Sequence, residues 1–188
     1  MTDDLDPLAV ALRVTSVFDE LGIAHTIGGS IASSMAGEPR STIDIDIVAA
    51  IEDRHVSALV TALVGEFYVD AEAMRRAVRD RASANLIHQD TSIKVDLFVA
   101  GGTPLDALQL SRRMPVQVGG RVIYVHPPED ILLQKLRWYR KGGEVSDRQW
   151  RDILGIVRVQ DSRLDRDYLA QHAPSLGVSD LLERALRR

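Results

Sequence analysis

The chain has 188 residues, 45% of them apolar, a net charge of −4 and no cysteine. That length suits one compact domain or a core with a small helical appendage, and no segment is apolar enough to read as a membrane span. Disulfides, thiolate metal sites and cysteine nucleophiles are excluded. The acidic start, "MTDDLDPLAV", stands where a signal peptide would be basic and points to a cytoplasmic protein.

In chain order, residues 7–21 show apolar spacing near 3.6 after a proline, with Gly22 as a stop, and predict a helix. "IAHTI" predicts a short strand running into Gly28-Gly29, and residues 30–35 a short helix closed by Gly37 and Pro39. "TIDIDIVAA" alternates strictly and is the clearest strand in the chain. Residues 53–65 read as a helix, "EFYVD" as a strand and "AEAMRRAVRDRA" as a helix with mixed faces. "ANLIHQ" and "SIKVDLFVA" form a hairpin joined at "DT". "MPVQVGGRVIYV" forms another, with Gly119-Gly120 supplying positive φ in a two-residue turn. From Pro127 onward the pattern is helical: "PPEDILLQKLRWYR", "DRQWRDILGIVRV" and two shorter helices ending at Arg188. The reading is an α/β core (1–125) followed by a helical C-terminal part (126–188).

The chemistry begins with the strand. Asp44 and Asp46 share one face and Ile43, Ile45 and Ile47 the other. Taken alone, such a face is also what a half-solvated sheet displays. In "SIKVDLFV", Asp96 likewise stands opposite an aliphatic face, with Lys94 and Phe98 on its own side. If the two strands are neighbours, three carboxylates cluster, and such a cluster suits magnesium-type cations that prefer oxygen ligands. Gly28 and Gly29 lie where a strand gives way to a helix, so backbone can approach a ligand, and helix-start N–H groups attract phosphate. Ser30 adds a hydroxyl and can cap that helix.

Other residues are less pointed. Lys94, Lys135 and Lys141 are the only lysines, and arginine supplies the other 20 of the 23 basic residues, in clusters that read first as solvated helix faces. Lys135, in the apolar run "LLQKL", reads equally as a lysine snorkelling at a helix edge. Trp138 and Trp150 are spaced for helix–helix packing. His25, His55, His88, His126 and His172 lack a metal-ligand spacing, so no zinc site is expected.

The succession strand, "GGS", short helix, "RSTIDIDI" and later "KVDLFV" resembles the DNA polymerase β-like nucleotidyltransferase superfamily. "HPPEDILLQKLRWYR" followed by "SDRQWRDILGIV" is similar to the lysine and Arg-Asp motifs of its small AbiEii-type and minimal, toxin-like members. The resemblance spans about residues 22–158, with a 13-residue spacer between Ser30 and Asp44 that is slightly long for the superfamily. It implies an α/β (α+β) nucleotidyltransferase core with a mixed sheet flanked by helices. It also implies transfer of a nucleotide from an NTP, such as ATP, to an acceptor hydroxyl with release of pyrophosphate, using two Mg2+ ions or Mn2+ in their place.

By the same resemblance Asp44, Asp46 and Asp96 are catalytic and hold the metal. Gly28, Gly29, Ser30, Lys135 and Asp152, with Arg40 and Thr42 at lower weight, bind nucleotide. Asp152 is favoured over Asp147 because Arg151-Asp152 keeps the dipeptide intact. The implied acceptor is first tRNA, as for a toxin with an antitoxin partner, and otherwise a small molecule such as an antibiotic, or a protein. A nucleotide-binding module that no longer transfers is the rival class, and a metal-dependent phosphohydrolase a weaker one.

Overall fold

A computed structural model describes residues 7–38 and 44–187. The first stretch of chain builds α1 (Pro7–Glu20), β1 (His25–Ile27), α2 (Gly29–Ala36), β2 (Asp44–Ala49), α3 (Asp53–Leu63) and β3 (Phe67–Val69). It continues with α4 (Ala71–Asp80), β4 (Ser83–His88), β5 (Lys94–Val99), α5 (Pro104–Ser111), β6 (Met114–Val118) and β7 (Arg121–Val125). Then come α6 (Pro128–Lys141), α7 (Asp147–Gln160), a 3-10 turn (Asp161–Arg163), α8 (Arg166–Leu176) and α9 (Ser179–Leu186). These described residues fall into two units: residues 7–31 with 44–125, and residues 32–38 with 126–187.

The first unit is a mixed seven-stranded sheet in the order β3-β4-β5-β2-β1-β7-β6. The sharp alternation in "DIDIVA" and "KVDLFV" makes one face of β2 and β5 dry: Ile45, Ile47, Ala49, Val95 and Leu97 are buried, and each completely interred large side chain contributes about 1.5–3 kcal/mol. Phe18 of α1, Leu59 and Leu63 of α3 and Met74 of α4 share that core. β4 and β5 form the expected antiparallel hairpin, and β6 and β7 close through Gly119 and Gly120 at φ 55° and 79°. Both central positions of a primed two-residue turn need positive φ, which glycine supplies at little cost.

Some elements differ from the sequence reading. α5 was not anticipated, because "GGTPLDALQLS" is short and opens on two glycines. Its start is nonetheless encoded: Thr103 Oγ1 accepts from the Asp106 N–H at 3.2 Å, Asp106 Oδ2 accepts from the Thr103 N–H at 2.9 Å, and Pro104 opens the helix. β1 is also shorter than "IAHTI", starting only at His25, which is buried beside Phe18 with ring centroids 5.4 Å apart.

The second unit packs α6 to α9 with Ala32 and Ala36 around Leu132, Leu136, Ile153, Ile156 and Leu169. Asp130, fully buried on α6, accepts a hydrogen bond from the Tyr168 hydroxyl of α8 at 2.6 Å. Gly37 is a close-approach position, since a Cβ there would lie 3.0 Å from the Ile156 amide nitrogen. Trp150 belongs to this packing, its ring 5.1 Å from that of Tyr139 and beneath the Arg184 guanidinium. Trp138 does not: it is 49% exposed, with the Lys141 ammonium over its ring. It sits on the solvent side of α6, three positions before that lysine, where a cation–π contact stands in for helix packing.

Candidate active site

β2 and β5 lie side by side and parallel, in a register that sets Asp44 opposite Lys94 and Asp46 opposite Asp96. Neighbouring strands are about 4.8 Å apart, so the side chains of Asp46 and Asp96 leave the sheet shoulder to shoulder. Alternation puts Asp44, one pleat earlier, on the same open face, while Ile45, Ile47, Val95 and Leu97 fill the other. Three acids more than fifty positions apart along the chain at their extremes thus share one patch of sheet.

Lys94 stands inside that patch. Its ammonium is 2.9 Å from Asp96 Oδ2, and Asp44 is its direct cross-strand neighbour. The hydrogen bond with Asp96 holds the Lys94 pKa above the ordinary lysine value. Slight desolvation opposes the shift, and the charges of Asp96, Asp44 and Asp46 add to it. The sequence reading placed Lys94 on the acid face and gave it no role; the signal was the Lys-x-Asp spacing on one strand, which puts both heads on the same side.

The glycine turn is built against the acids. The Gly28 N–H donates to the Asp46 carbonyl at 2.9 Å, extending the antiparallel β1–β2 ladder by one bond before the chain turns. Gly29 then opens α2 at φ +54°, and an ideal Cβ on it would lie 1.7 Å from Asp46 Oδ2. Only a residue without a side chain fits there. Ser30 lies within the first turn of α2 and not at its cap, and its hydroxyl donates to the Asp44 carbonyl at a long 3.4 Å. The Gly28 amide is therefore committed to the sheet, while Gly29 gives the turn its close approach.

In the helical unit, Lys135 Nζ is 2.8 Å from Asp152 Oδ2, both side chains 13% exposed. Asp152 is thus the acid that holds Lys135; Asp147 lies exposed in the first turn of α7. Arg40 and Thr42 lie outside the described residues.

The donor set, three carboxylates on one face of the sheet, suits a hard divalent cation. Among the described residues, no three acidic, histidine or cysteine side chains are already drawn together as an ion cage. An ion would gather these carboxylates by rotamer changes on a sheet that already sets their spacing. Also among the described residues, no helix is long and apolar enough to cross a membrane.

No protein-family model matches the sequence, and no curated protein sequence matches it significantly. Solved structures do resemble it. A nucleotidyltransferase-like antigenic protein from Paracoccidioides brasiliensis superposes with a TM-score of 0.58 at 20% identity, over 98% of this chain and 93% of that one. The antibiotic-resistance factor ANT(2'')-Ia does so with a TM-score of 0.59 at 14% identity, over 94% of each chain. The lincosamide antibiotic adenylyltransferase LnuA, with lincomycin bound, gives 0.53 at 13% identity, over 79% of this chain and 95% of that one. At these identities the likeness is one of architecture.

Proposed function

We propose, from the nucleotidyltransferase fold that these likenesses establish, that the chain transfers a nucleotide from an NTP to an acceptor hydroxyl and releases pyrophosphate. The observation that carries the reading is the register pairing of Asp46 with Asp96, with Asp44 on the same face and the Gly28-Gly29 turn pressed against Asp46. Carboxylates this close repel one another, and a sheet face gains nothing from them unless a cation is part of its work.

Asp44 and Asp46 would hold the magnesium-type ion that carries the triphosphate, and Asp96 would complete a second such position; manganese suits the same oxygens. When bound, such ions stabilise the charge on the attacking and leaving oxygens of an in-line displacement. Asp96 is the group that accepts the proton of the acceptor hydroxyl. The hydroxyl oxygen forms a bond to the α-phosphorus as the bridging bond to the β-phosphate breaks, and pyrophosphate departs with that electron pair. The Gly29 N–H and Ser30 hydroxyl donate to the outer phosphates, the hydroxyl leaving its long bond to Asp44. Lys135 is kept in place by Asp152, and a part in binding phosphate is proposed for it from its sequence motif alone.

For the acceptor we favour a small hydroxylated molecule. On the open face the register continues from Asp44 through Lys94 to Ile87 and Tyr68, which are 40% and 63% exposed. This apolar pair beside the acids suits a molecule with an apolar side more than a polyanion. The arginines of α4 belong to a helix packed on the other face. Two of the similar structures, ANT(2'')-Ia in complex with adenylyl-2''-tobramycin and LnuA with lincomycin, carry such molecules. A tRNA acceptor with a toxin–antitoxin role is the alternative.

The test is incubation with each α-labelled NTP and Mg2+ alongside a panel of hydroxylated antibiotics, total tRNA or total protein. Label in a small molecule supports the reading, and label in tRNA moves it to the toxin alternative. No label in any pool, with NTP binding seen by calorimetry, would leave a nucleotide-binding module instead.

A further inference from the structure

We propose that Asn85 is the second polar contact of the acceptor, holding a hydroxyl or amino group on the carbon next to the one that receives the nucleotide. The inference rests on reading Asp96 as the group that faces the acceptor hydroxyl. It adds the acceptor's chemistry: a vicinal diol or amino alcohol with an apolar side.

Register carries it. Asn85 of β4 is the direct cross-strand neighbour of Asp96, on the edge of β5 away from β2. Antiparallel pairs alternate between hydrogen-bonded and non-hydrogen-bonded kinds, and Cα atoms of the second kind approach to about 4.5 Å. On this ladder the Val99 N–H donates to the Ala82 carbonyl at 3.0 Å, and the His88 N–H to the Ile93 carbonyl at 2.9 Å. Both of those pairs stand an odd number of steps from Asn85 and Asp96, which are therefore a pair of the closer kind. Asparagine and aspartate side chains have the same length, so the amide and the carboxyl reach equally far above the sheet. A hydroxyl at Asp96 and a polar group on the next carbon would each meet one head at about 2.7–3.2 Å.

The residue type and its setting agree. Alternation turns Asn85 to the open face with Asp96, while Ala84 and Leu86 are buried on the other. Asn85 is exposed. Asparagine is depleted in strands, yet β4 is paired along both edges, by β3 and β5. Breaks of local preference of that kind gather at functional sites. The amide donates through nitrogen and accepts through oxygen, which suits a hydroxyl or amino partner, whereas ionised Asp96 only accepts. Ile87 follows on the same face of β4, so the exposed apolar pair of Ile87 and Tyr68 lies next to this polar contact. A surface asparagine without a ligand would hold the same register; what separates the two is whether its removal changes the choice between acceptors.

The experiment compares cis-1,2-cyclohexanediol with cyclohexanol, which lacks the neighbouring hydroxyl, as acceptors for the full chain with each α-labelled NTP and Mg2+. Wild type is expected to favour the diol about two- to tenfold in kcat/KM per hydroxyl, the size of one hydrogen bond's contribution. Asn85→Ala is expected to bring the two acceptors level, moving the diol KM more than the NTP KM. Asn85→Ser, which keeps a hydroxyl, is expected to retain part of the preference. Asn85→Val serves beside Ala, so that a folding defect in one is recognised by its melting curve and the ratio is read from the other. If Asn85→Ala and Asn85→Val keep the wild-type preference, or wild type has none, the inference is overturned while the transfer reading stands. If the variants lose transfer to both alcohols alike, Asn85 acts through Asp96 and the inference is likewise overturned. If no form labels either alcohol, the reading of a small hydroxylated acceptor fails and this inference with it.

Discussion

Gly29→Ala is the sharpest perturbation of the proposed site, because its cost has two separable parts. Gly29 sits at φ +54°, where an L side chain costs about 1–2 kcal/mol. Its ideal Cβ would also lie 1.7, 2.5 and 2.8 Å from Oδ2, Cγ and Cβ of Asp46, distances no real side chain tolerates. Gly22 provides the control, with φ +66° and no heavy atom within 4 Å of its ideal Cβ. Gly22→Ala should therefore show the backbone cost alone. Gly29→Ala should lose a further 1–3 kcal/mol or so, the usual size of an overpacking penalty. Asp46 must be pushed off its position by more than an ångström, and displacement of that size costs about a hundredfold in rate. Urea denaturation measures the first quantity and transfer from labelled NTP the second. Equal denaturation midpoints for the two variants, with transfer intact in Gly29→Ala, would refute the claim that the turn is built against the carboxylate.

Asp96→Ala should abolish transfer while leaving NTP affinity, measured by calorimetry, within a few-fold of wild type; equal loss of both would argue against its role toward the acceptor hydroxyl. Burial holds the His25 imidazole below its ordinary pKa, against the Ile23 carbonyl and the Asp19 charge that raise it, while Arg113 also lowers it. The unfolded chain therefore takes up this proton first, so the contribution is complete above about pH 6.5 and declines as pH falls below it. Thermal melts from pH 7.5 to 5.5 should show a falling midpoint, and His25→Phe, set between the rings of Phe18 and Tyr124, should flatten that slope. A double-mutant cycle on Lys135→Met and Asp152→Leu should give a coupling of about 1.5–3 kcal/mol in urea denaturation, as for a hydrogen bond to a charged group; additive single effects would show the pair to be incidental.

The strands that carry the acids were the most legible part of the sequence, because period-two alternation in "DIDIVA" and "KVDLFV" both defines a strand and divides its faces. The partnership of those strands was not legible. It depends on β5 returning beside β2 in parallel after about fifty residues, and alternation says nothing about which edge a strand takes. The sequence therefore supported the acid cluster only conditionally, and the register of Asp46 with Asp96 meets that condition. The glycine pair was read as a phosphate seat from composition, but contact with Asp46 is a distance in space and leaves no local signal. α5 escaped for a different reason: its cap, "TPLD", was readable, but eight residues give too few turns for periodicity to register. Trp138 was misassigned because spacing alone does not distinguish an aromatic facing a helix neighbour from one beneath a lysine one turn on.

The central place of β2 has a consequence for how the proposed transfer would work. With β1 on one edge and β5 on the other, its backbone is tied on both sides, and four strands complete the sheet beyond those neighbours. Hydrogen–deuterium exchange of its amides should wait for global unfolding, whereas strands with a free edge open locally. Asp44 and Asp46 are thereby mounted on a strand held along both edges. Any gating in the proposed transfer would have to be carried by other segments, moving around an anvil that stays still.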